Sequence, residues 1–321
     1  MDDLARTALR TAGGLAGAGL VGIAYAAFVE RTWFTLRRFA VPALPPGAAP
    51  VRILQVSDLH LTPGQTKKID WVRSLAELEP DFVVNSGDNL AHLDAVPPLL
   101  RAMEPLLERP GAFVLGSNDY FAPTPKNPAR YLTSRHADAP ARRSTLPVKA
   151  LRDGLGSKGW ADLNNARRIV RMGDHDVELV GVNDPHIGAR YAKVVGPASA
   201  DVALTMGLVH APYQRVLDAM VGDGASVVLA GHTHGGQLAV PLWGALVTNC
   251  DLDTRRAKGV SRWWPGAGTA GARGGAAPSS DAPEDAAWLH VSAGLGTSPY
   301  APVRFACRPE ATLLTLLARD S

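Results

Sequence analysis

From residue 51 onward, short apolar runs alternate with small polar clusters. Arg52-Ile-Leu-Gln-Val-Ser57 runs into Asp58-Leu59-His60, and Asp81-Phe-Val-Val-Asn85 into Gly87-Asp88-Asn89. Ala112-Phe-Val-Leu115 runs into Gly116-Ser117-Asn118-Asp119, and Val177–Val182 into Asn183-Asp184. Val202–Val209 runs into His210, and Ser226–Ala230 into Gly231-His232-Thr233-His234. Runs of this length, rich in β-branched residues and closed by Gly, Asn or Asp, read as buried strands. Ile69–Leu78 and the Leu-rich Val96–Glu108 read as helices between them. Alternation of strand and helix predicts a layered α/β sheet core. Trp288–Ala293 and Ala311–Leu317 read as closing strands.

Three stretches break the rhythm. Val41–Pro50, VPALPPGAAP, reads as a linker that opens the main domain at residue 51. Residues 122–160 are long, Pro-containing and basic, with eight Lys/Arg against two Asp. They read as a solvated insertion or as a lid whose charge attracts anionic substrates. Residues 265–287 are low in complexity and read as a mobile loop.

The first 40 residues carry a separate signal. Thr11–Val29 is an uncharged run of 19 residues, preceded by Arg6 and Arg10 and followed by Arg31, Arg37 and Arg38. As a helix it is roughly 28 Å long at ~1.5 Å per residue, near the ~30 Å of a bilayer core. It reads first as a single-pass membrane anchor. Export after cleavage at the A-x-A triplet Ala24-Tyr25-Ala26 is the alternative, weakened by Asp2 and Asp3. A helix lying on a membrane or on the protein itself is the third reading. The slight excess of arginine after the run favours a cytoplasmic main domain.

Composition narrows the chemistry. The chain has 321 residues, 46% hydrophobic and 20% charged, with a net charge of +3, so neither bulk disorder nor nucleic-acid binding is favoured. Two cysteines, Cys250 and Cys307, exclude a disulfide scaffold and a four-thiolate zinc module. No P-loop, dinucleotide fingerprint or nucleophilic Ser or Cys motif is present.

Nine histidines remain, and several fall where ligands collect. Asp58, His60, Asp88, Asn118, His210, His232 and His234 all lie at or just beyond the carboxyl ends of expected strands, the edge at which open α/β sheets bind ligands. Imidazole, carboxylate and amide donors without thiolate suit Mn, Fe, Zn or Co. Two such ions can share a bridging carboxylate and hydroxide, and clamp a phosphoryl group for in-line attack. Phosphoryl transfer needs charge neutralisation and alignment more than covalent help from side chains.

In this order Asp58-Leu-His60, Gly87-Asp88-Asn89, Gly116-Ser-Asn-Asp119, Leu208-Val-His210 and Gly231-His-Thr-His234 resemble the calcineurin-like metallophosphoesterase superfamily. Gly235-Gly236-Gln237 and the tail Gly294-Leu-Gly-Thr297, Pro302-Val-Arg304-Phe305 and Pro309-Glu310 are similar to its membrane-anchored bacterial YkuE-like group. The resemblance covers about Val51 to the C-terminus. It implies a four-layer αββα sandwich of two mixed β-sheets with a two-metal site at one edge. By the same resemblance Asp58, His60, Asp88 and His234 hold the first metal, and Asp88 bridges to a second held also by His210 and His232. The implied activity is hydrolysis of a phosphomonoester or phosphodiester by a hydroxide bridging the two ions.

One motif departs from the pattern. The family reads G-N-H-[DE] where this chain has Gly116-Ser117-Asn118-Asp119. Ungapped alignment puts Ser117 at the ligand position, but Asn118 is chemically the better donor and is the expected ligand. No histidine is left there as general acid, so His186 or His92 would have to replace it, and leaving groups of low pKa gain weight. Asn89 and Arg304 are the expected substrate contacts, the latter through its bidentate guanidinium or, alternatively, held in an ion pair with Glu310. A non-catalytic metal-binding module and a nuclease are the competing functions, and the anchor makes a lipid-linked phosphoester an attractive substrate.

Overall fold

The computed structural model describes residues 3–125, 144–188, 191–268 and 282–320. Residues 126–143 of the basic insertion and the centre of the low-complexity stretch lie outside the described residues.

Two six-stranded mixed sheets pack face to face. The first is ordered β1-β14-β2-β3-β4-β5, from β1 (Thr35–Leu44), β14 (Glu310–Ala318), β2 (Val51–Val56), β3 (Phe82–Asn85), β4 (Gly111–Phe113) and β5 (Ala161–Asp162). The second is ordered β12-β13-β9-β8-β7-β6, from β12 (Gly259–Trp263), β13 (Ala287–Val291), β9 (Val227–Ala230), β8 (Leu204–Val209), β7 (His175–Val182) and β6 (Ala166–Met172). Strand alternation divides the core. Ile53, Phe82 and Val84 of the first sheet meet Leu179, Met206 and Leu229 of the second. Leu54 and Val56 turn the other way, under α2 (Thr66–Ser74) and α3 (Val96–Leu107). The outer face of the second sheet is covered by α6 (Gln214–Gly222), through Val216, Leu217 and Met220. The αββα sandwich expected from the sequence is thus the architecture.

Local chemistry explains the helices. In α3, Val96, Leu99, Met103, Leu106 and Leu107 are buried, the i, i+3, i+4 spacing of an amphipathic stripe. Pro97 and Pro98 occupy its first turn, where an N–H is not needed. Pro105 cannot donate to the carbonyl four residues back; the Arg73 guanidinium donates to that Arg101 carbonyl instead, and to Glu104 Oε2 at 2.8 Å.

Two expected boundaries are corrected. Val41–Leu44, expected in the linker, completes β1, which pairs in parallel with β14 from Thr35↔Glu310 onward. Val41, Ala43 and Leu44 are buried. Pro42 is tolerated because β1 is the edge strand. At the other site, the C-terminal part of the basic insertion is core rather than solvated loop. Helix α5 (Val148–Gly156) buries Leu151 and Leu155, and Trp160 Nε1 donates to the Arg109 carbonyl at 2.9 Å.

The N-terminal helix α1 (Asp3–Ala24) continues through one π turn (Tyr25–Val29) and a 3-10 turn (Glu30–Thr32). Residues Arg10–Thr32 are long and apolar enough to cross a membrane, with only 6% of the apolar window buried. The C-terminal end of this segment is tied to the domain. Arg304 N donates to the Ala26 carbonyl at 3.1 Å. The Glu30 carboxylate accepts from the Ala306 and Cys307 amides at 3.1 and 2.6 Å.

Candidate metal centre

The strand ends set the site. Val56 pairs with Asn85, and Val209 with Ala230, so the loops after β2, β3, β8 and β9 emerge side by side. Asp58 N donates to the Gly87 carbonyl at 2.8 Å, His60 N to the Asp88 carbonyl at 3.0 Å, and Gly231 N to the His210 carbonyl at 2.9 Å. Asp58, His60, Asp88, His232 and His234 all adopt positive φ, between 40° and 71°. Left-handed backbone is uncommon for such residues, and its clustering marks a place where geometry is held against local preference. Gly231 is required by close approach, because a Cβ there would fall 2.5 Å from Asp58 Oδ2.

Two overlapping groups are able to hold a metal ion. The donor atoms of Asp58, His60 and His234 all lie within 4.8 Å of one another, as do those of Asp58, Asp88 and His210. Asp88 sits between them, with Oδ2 3.5 Å from His60 Nε2 and 3.4 Å from His210 Nε2. His60 Nε2 and His234 Nε2 face each other at 3.1 Å. The His232 ring stands 5.3 Å from the His210 ring. Asn118 enters too. Its Nδ2 donates to Asp88 Oδ2 at 2.7 Å and its backbone N to Asp88 Oδ1 at 2.8 Å. The backbone amide of Ser117 donates to Asp184 Oδ2 at 2.8 Å.

Surrounding groups orient the imidazoles. His210 Nδ1 lies 2.7 Å from the Ser86 carbonyl, His234 Nδ1 3.1 Å from the Gly296 carbonyl and His232 Nε2 3.2 Å from the Asn249 carbonyl. Each contact commits one ring nitrogen to the backbone and turns the other inward. Ser57 Oγ donates to Asp58 Oδ2. Asp119 gathers the amides of Asp88, Asn89 and Gly116 at 2.9, 2.7 and 3.0 Å.

The electrostatics fit a cation. Burial pushes the His60 and His232 imidazoles down to about 4, and that of His234 well below the usual range, so all three present neutral lone pairs. Burial also pushes the Asp58 carboxyl up to about 6. Burial opposes charge on Asp88 and His210 as well, but their mutual attraction prevails, holding Asp88 well below and His210 well above the usual values. Yet His210 Nε2 is buried with no hydrogen-bond partner. It stands 3.4 Å from Asp88 Oδ2 as an ion pair without a hydrogen bond, and a metal ion there would take the place of the proton that His210 carries. Residues and charge both fit the nitrogen- and oxygen-ligated ions expected from the sequence.

Other expected residues are placed differently. Arg304 is fully buried. Its Nη2 donates to the Ala293, Gly294 and Gly296 carbonyls at 2.7, 3.1 and 2.8 Å, and its Nη1 to those of His234 and Cys307 at 3.4 and 3.3 Å. Five carbonyls occupy the fork, so Arg304 holds the His234 loop and is not exposed to a phosphate. Neither does it pair with Glu310, whose carboxylate accepts from Arg37 Nε at 3.3 Å. Asn89 is also fully buried, bonded to Asn85 and Asp119, and offers substrate no contact. His92 is exposed and bonded to the Asp94 amide. His186 does reach the site: its ring lies 5.0 Å from that of His232, with Nδ1 3.0 Å from Tyr213 Oη. The sequence marks Asp184 only as a strand terminus. Buried, it binds the amides of Ser117 and His186 and so joins the two loops.

A calcineurin-like phosphoesterase family model matches residues 51–236, more than half of the 321 residues. The chain is 26% identical to phosphodiesterase YaeI of Escherichia coli (strain K12), over 92% of this chain and 93% of that protein. It is 24% identical to the Bacillus subtilis (strain 168) protein named uncharacterized metallophosphoesterase YkuE, over 95% and 92%. A Bos taurus transmembrane protein with metallophosphoesterase domain is 29% identical over 62% of this chain and 43% of its own length. Among solved structures, TT1561 of Thermus thermophilus aligns over 77% of this chain and 91% of its own, at 12% identity and a TM-score of 0.38. With five of its strand-end donors gathered around one point and the family model spanning most of those strands, the chain belongs to the calcineurin-like phosphoesterase family.

Proposed function

We propose that this protein is a membrane-anchored, metal-dependent phosphoesterase that hydrolyses a phosphodiester or an activated phosphate ester. The observation that carries the reading is the convergence of Asp58, His60, Asp88, His210 and His234, from four separate strand ends, with donor atoms within 4.8 Å in two groups. Asp58, His60 and His234 would hold one ion, and His210, His232 and Asn118 a second, with the Asp88 carboxylate available to both. Such a pair would supply the Lewis acidity that activates a water and neutralises the phosphoryl oxygens. The chain's own residues do the positioning. Asp119 fixes the Asp88 loop through three amides, and Arg304 fixes the loop of His234. His186, 5.0 Å from His232, is our candidate to meet the leaving group; burial pushes its imidazole down to about 4, so it carries the extra proton of a general acid only at acidic pH. Tyr213 orients its Nδ1, which leaves Nε2 to serve. Residues 11–29 form the single-pass anchor, supported by the apolar stretch Arg10–Thr32 and its exposure.

The test is turnover of bis-p-nitrophenyl phosphate by the full-length protein in detergent with added Mn. The expected result is metal-dependent hydrolysis that Asp88→Asn lowers by at least ~10²-fold. Unchanged turnover in that variant overturns the mechanism. Metal binding without turnover on a broad ester panel favours a non-catalytic module instead.

A further inference from the structure

Between two expected metal ligands and their supports the chain makes an excursion to the surface. It leaves His234, passes Gly235–Gln237, forms a hairpin of β10 (Ala239–Val240) and β11 (Gly244–Ala245), and returns to Asn249, whose carbonyl orients His232. The base of the hairpin is firmly seated. Ala239 N donates to the Phe305 carbonyl at 2.9 Å and Gln237 Nε2 to the Ala301 carbonyl at 2.8 Å. A Cβ on Gly236 would fall 2.5 Å from Ala245 Cβ, so the returning strand lies directly on the metal-site loop.

The tip is the opposite of the base. Leu242 is fully exposed and Trp243 is 82% exposed, with Leu238, Val240 and Leu246 also open to solvent. Large apolar side chains grouped on a rigid hairpin mark an interaction surface. What it meets is indicated by continuity with the N-terminal helix. An apolar groove between the two is lined by Gly22, Ile23 and Ala26 on the helix side and by Leu246, Val303 and Phe305 on the domain side. Leu20, Val21, Ile23 and Phe28 of the helix are exposed alongside. At the end of the helical segment stands exposed Trp33, with the Arg308 guanidinium 3.4 Å from its ring centroid and Lys67 and Trp71 in the adjoining cleft. Tryptophan with Lys or Arg is the composition of a membrane–water boundary. The helix residues facing the hairpin, Gly19 to Ala26, precede Trp33 by roughly 10–20 Å at ~1.5 Å per residue. The hydrocarbon half-thickness of a bilayer is about 15 Å. The hairpin therefore lies on the lipid side of the Trp33 level.

We propose that the 238–246 hairpin is a membrane-inserted element whose Leu242-Trp243 tip enters one leaflet beside the helix, seating the metal centre at the bilayer surface. The occupant of this apolar face is lipid. The inference rests on the anchor reading of residues 11–29, and the experiment separates the two.

Full-length Trp243→Cys, Leu242→Cys, Ile23→Cys and Arg168→Cys are labelled with an environment-sensitive fluorophore, the unsubstituted chain serving as the blank. Each is reconstituted into phosphatidylethanolamine/phosphatidylglycerol vesicles with and without spin-labelled lipid. Labels at 242, 243 and 23 should shift to the blue and lose at least half of their emission to the spin label. The label at 168, on edge strand β6 of the second sheet, should stay water-like. Quenching at 23 with water-like emission at 242 and 243 overturns this inference and leaves the anchor standing. No quenching at 23 or at the tip overturns both. A blue shift at 242 and 243 without lipid quenching also overturns it, in favour of a second copy of the chain on the hairpin.

Discussion

The side-chain amide of Asn118 lies 2.7 Å from Asp88 Oδ2, while Ser117, at the position where the family pattern has its ligand, points its backbone amide at Asp184. The departure in the third motif is thus absorbed within one helical turn, α4 (Ser117–Tyr120). Asn118→Ala should lower turnover by ~10–100-fold, the loss typical of a ligand or its immediate support. Ser117→Ala should leave turnover within about twofold, because its contact to Asp184 is made by the backbone. The reverse ranking in steady-state kinetics would return the ligand role to Ser117.

Arg304 separates a structural from a substrate role. Its guanidinium serves five carbonyls in three segments. Arg304→Leu strands those acceptors, at about 1–3 kcal/mol for each that stays unsatisfied. A loss of about 3 kcal/mol would lower Tm by roughly 6–12 °C in a domain of this size. A phosphate contact would instead raise KM and leave Tm unchanged, and that result would contradict the placement.

Lys68 gives the stability a pH dependence. Its Nζ is buried and donates to the Leu59 carbonyl at 2.6 Å. Burial first, then the charges of Arg304 and Arg31, pushes its ammonium down to about 7. In the unfolded chain the same group keeps its proton up to ~10.4. Between those values the unfolded state binds more protons, so this group's contribution to stability rises with pH and its penalty is fully present below about 7. The stability advantage of Lys68→Met over the parent should shrink by up to about 3 kcal/mol between pH ~7 and ~9.5. Denaturant titrations at both pH values check this, and a gap independent of pH would contradict it.

How far the sequence can be read follows from the range of the signals. Asp58, His60, Asp88, His210 and His234 each follow a short apolar strand, so local patterning places them at carboxyl strand ends; that two of these strands belong to one sheet and two to the other, meeting at one end of the sandwich, is not local information. Asp184 closes β7 by the same rule and is open to the same reading. Arg304 is misread from sequence because its acceptors come from three segments that meet only in the folded chain, and an arginine away from them reads as a surface cation. Asn89 follows Asp88 in a site motif, yet its amide is spent on Asn85 and Asp119. Strand β1 is hidden by Pro42, which an edge strand accepts and a central one does not. The 238–246 hairpin is hidden by strands of two residues each, too short for any alternation to register.

The central claim is that these side chains hold a pair of metal ions. Elemental analysis of folded, full-length protein, dialysed against Mn and then desalted, tests it without reference to any substrate. The account predicts about two transition-metal ions per chain, falling to about one or fewer in Asp88→Asn at unchanged secondary structure. Folded parent protein that retains neither ion would contradict it.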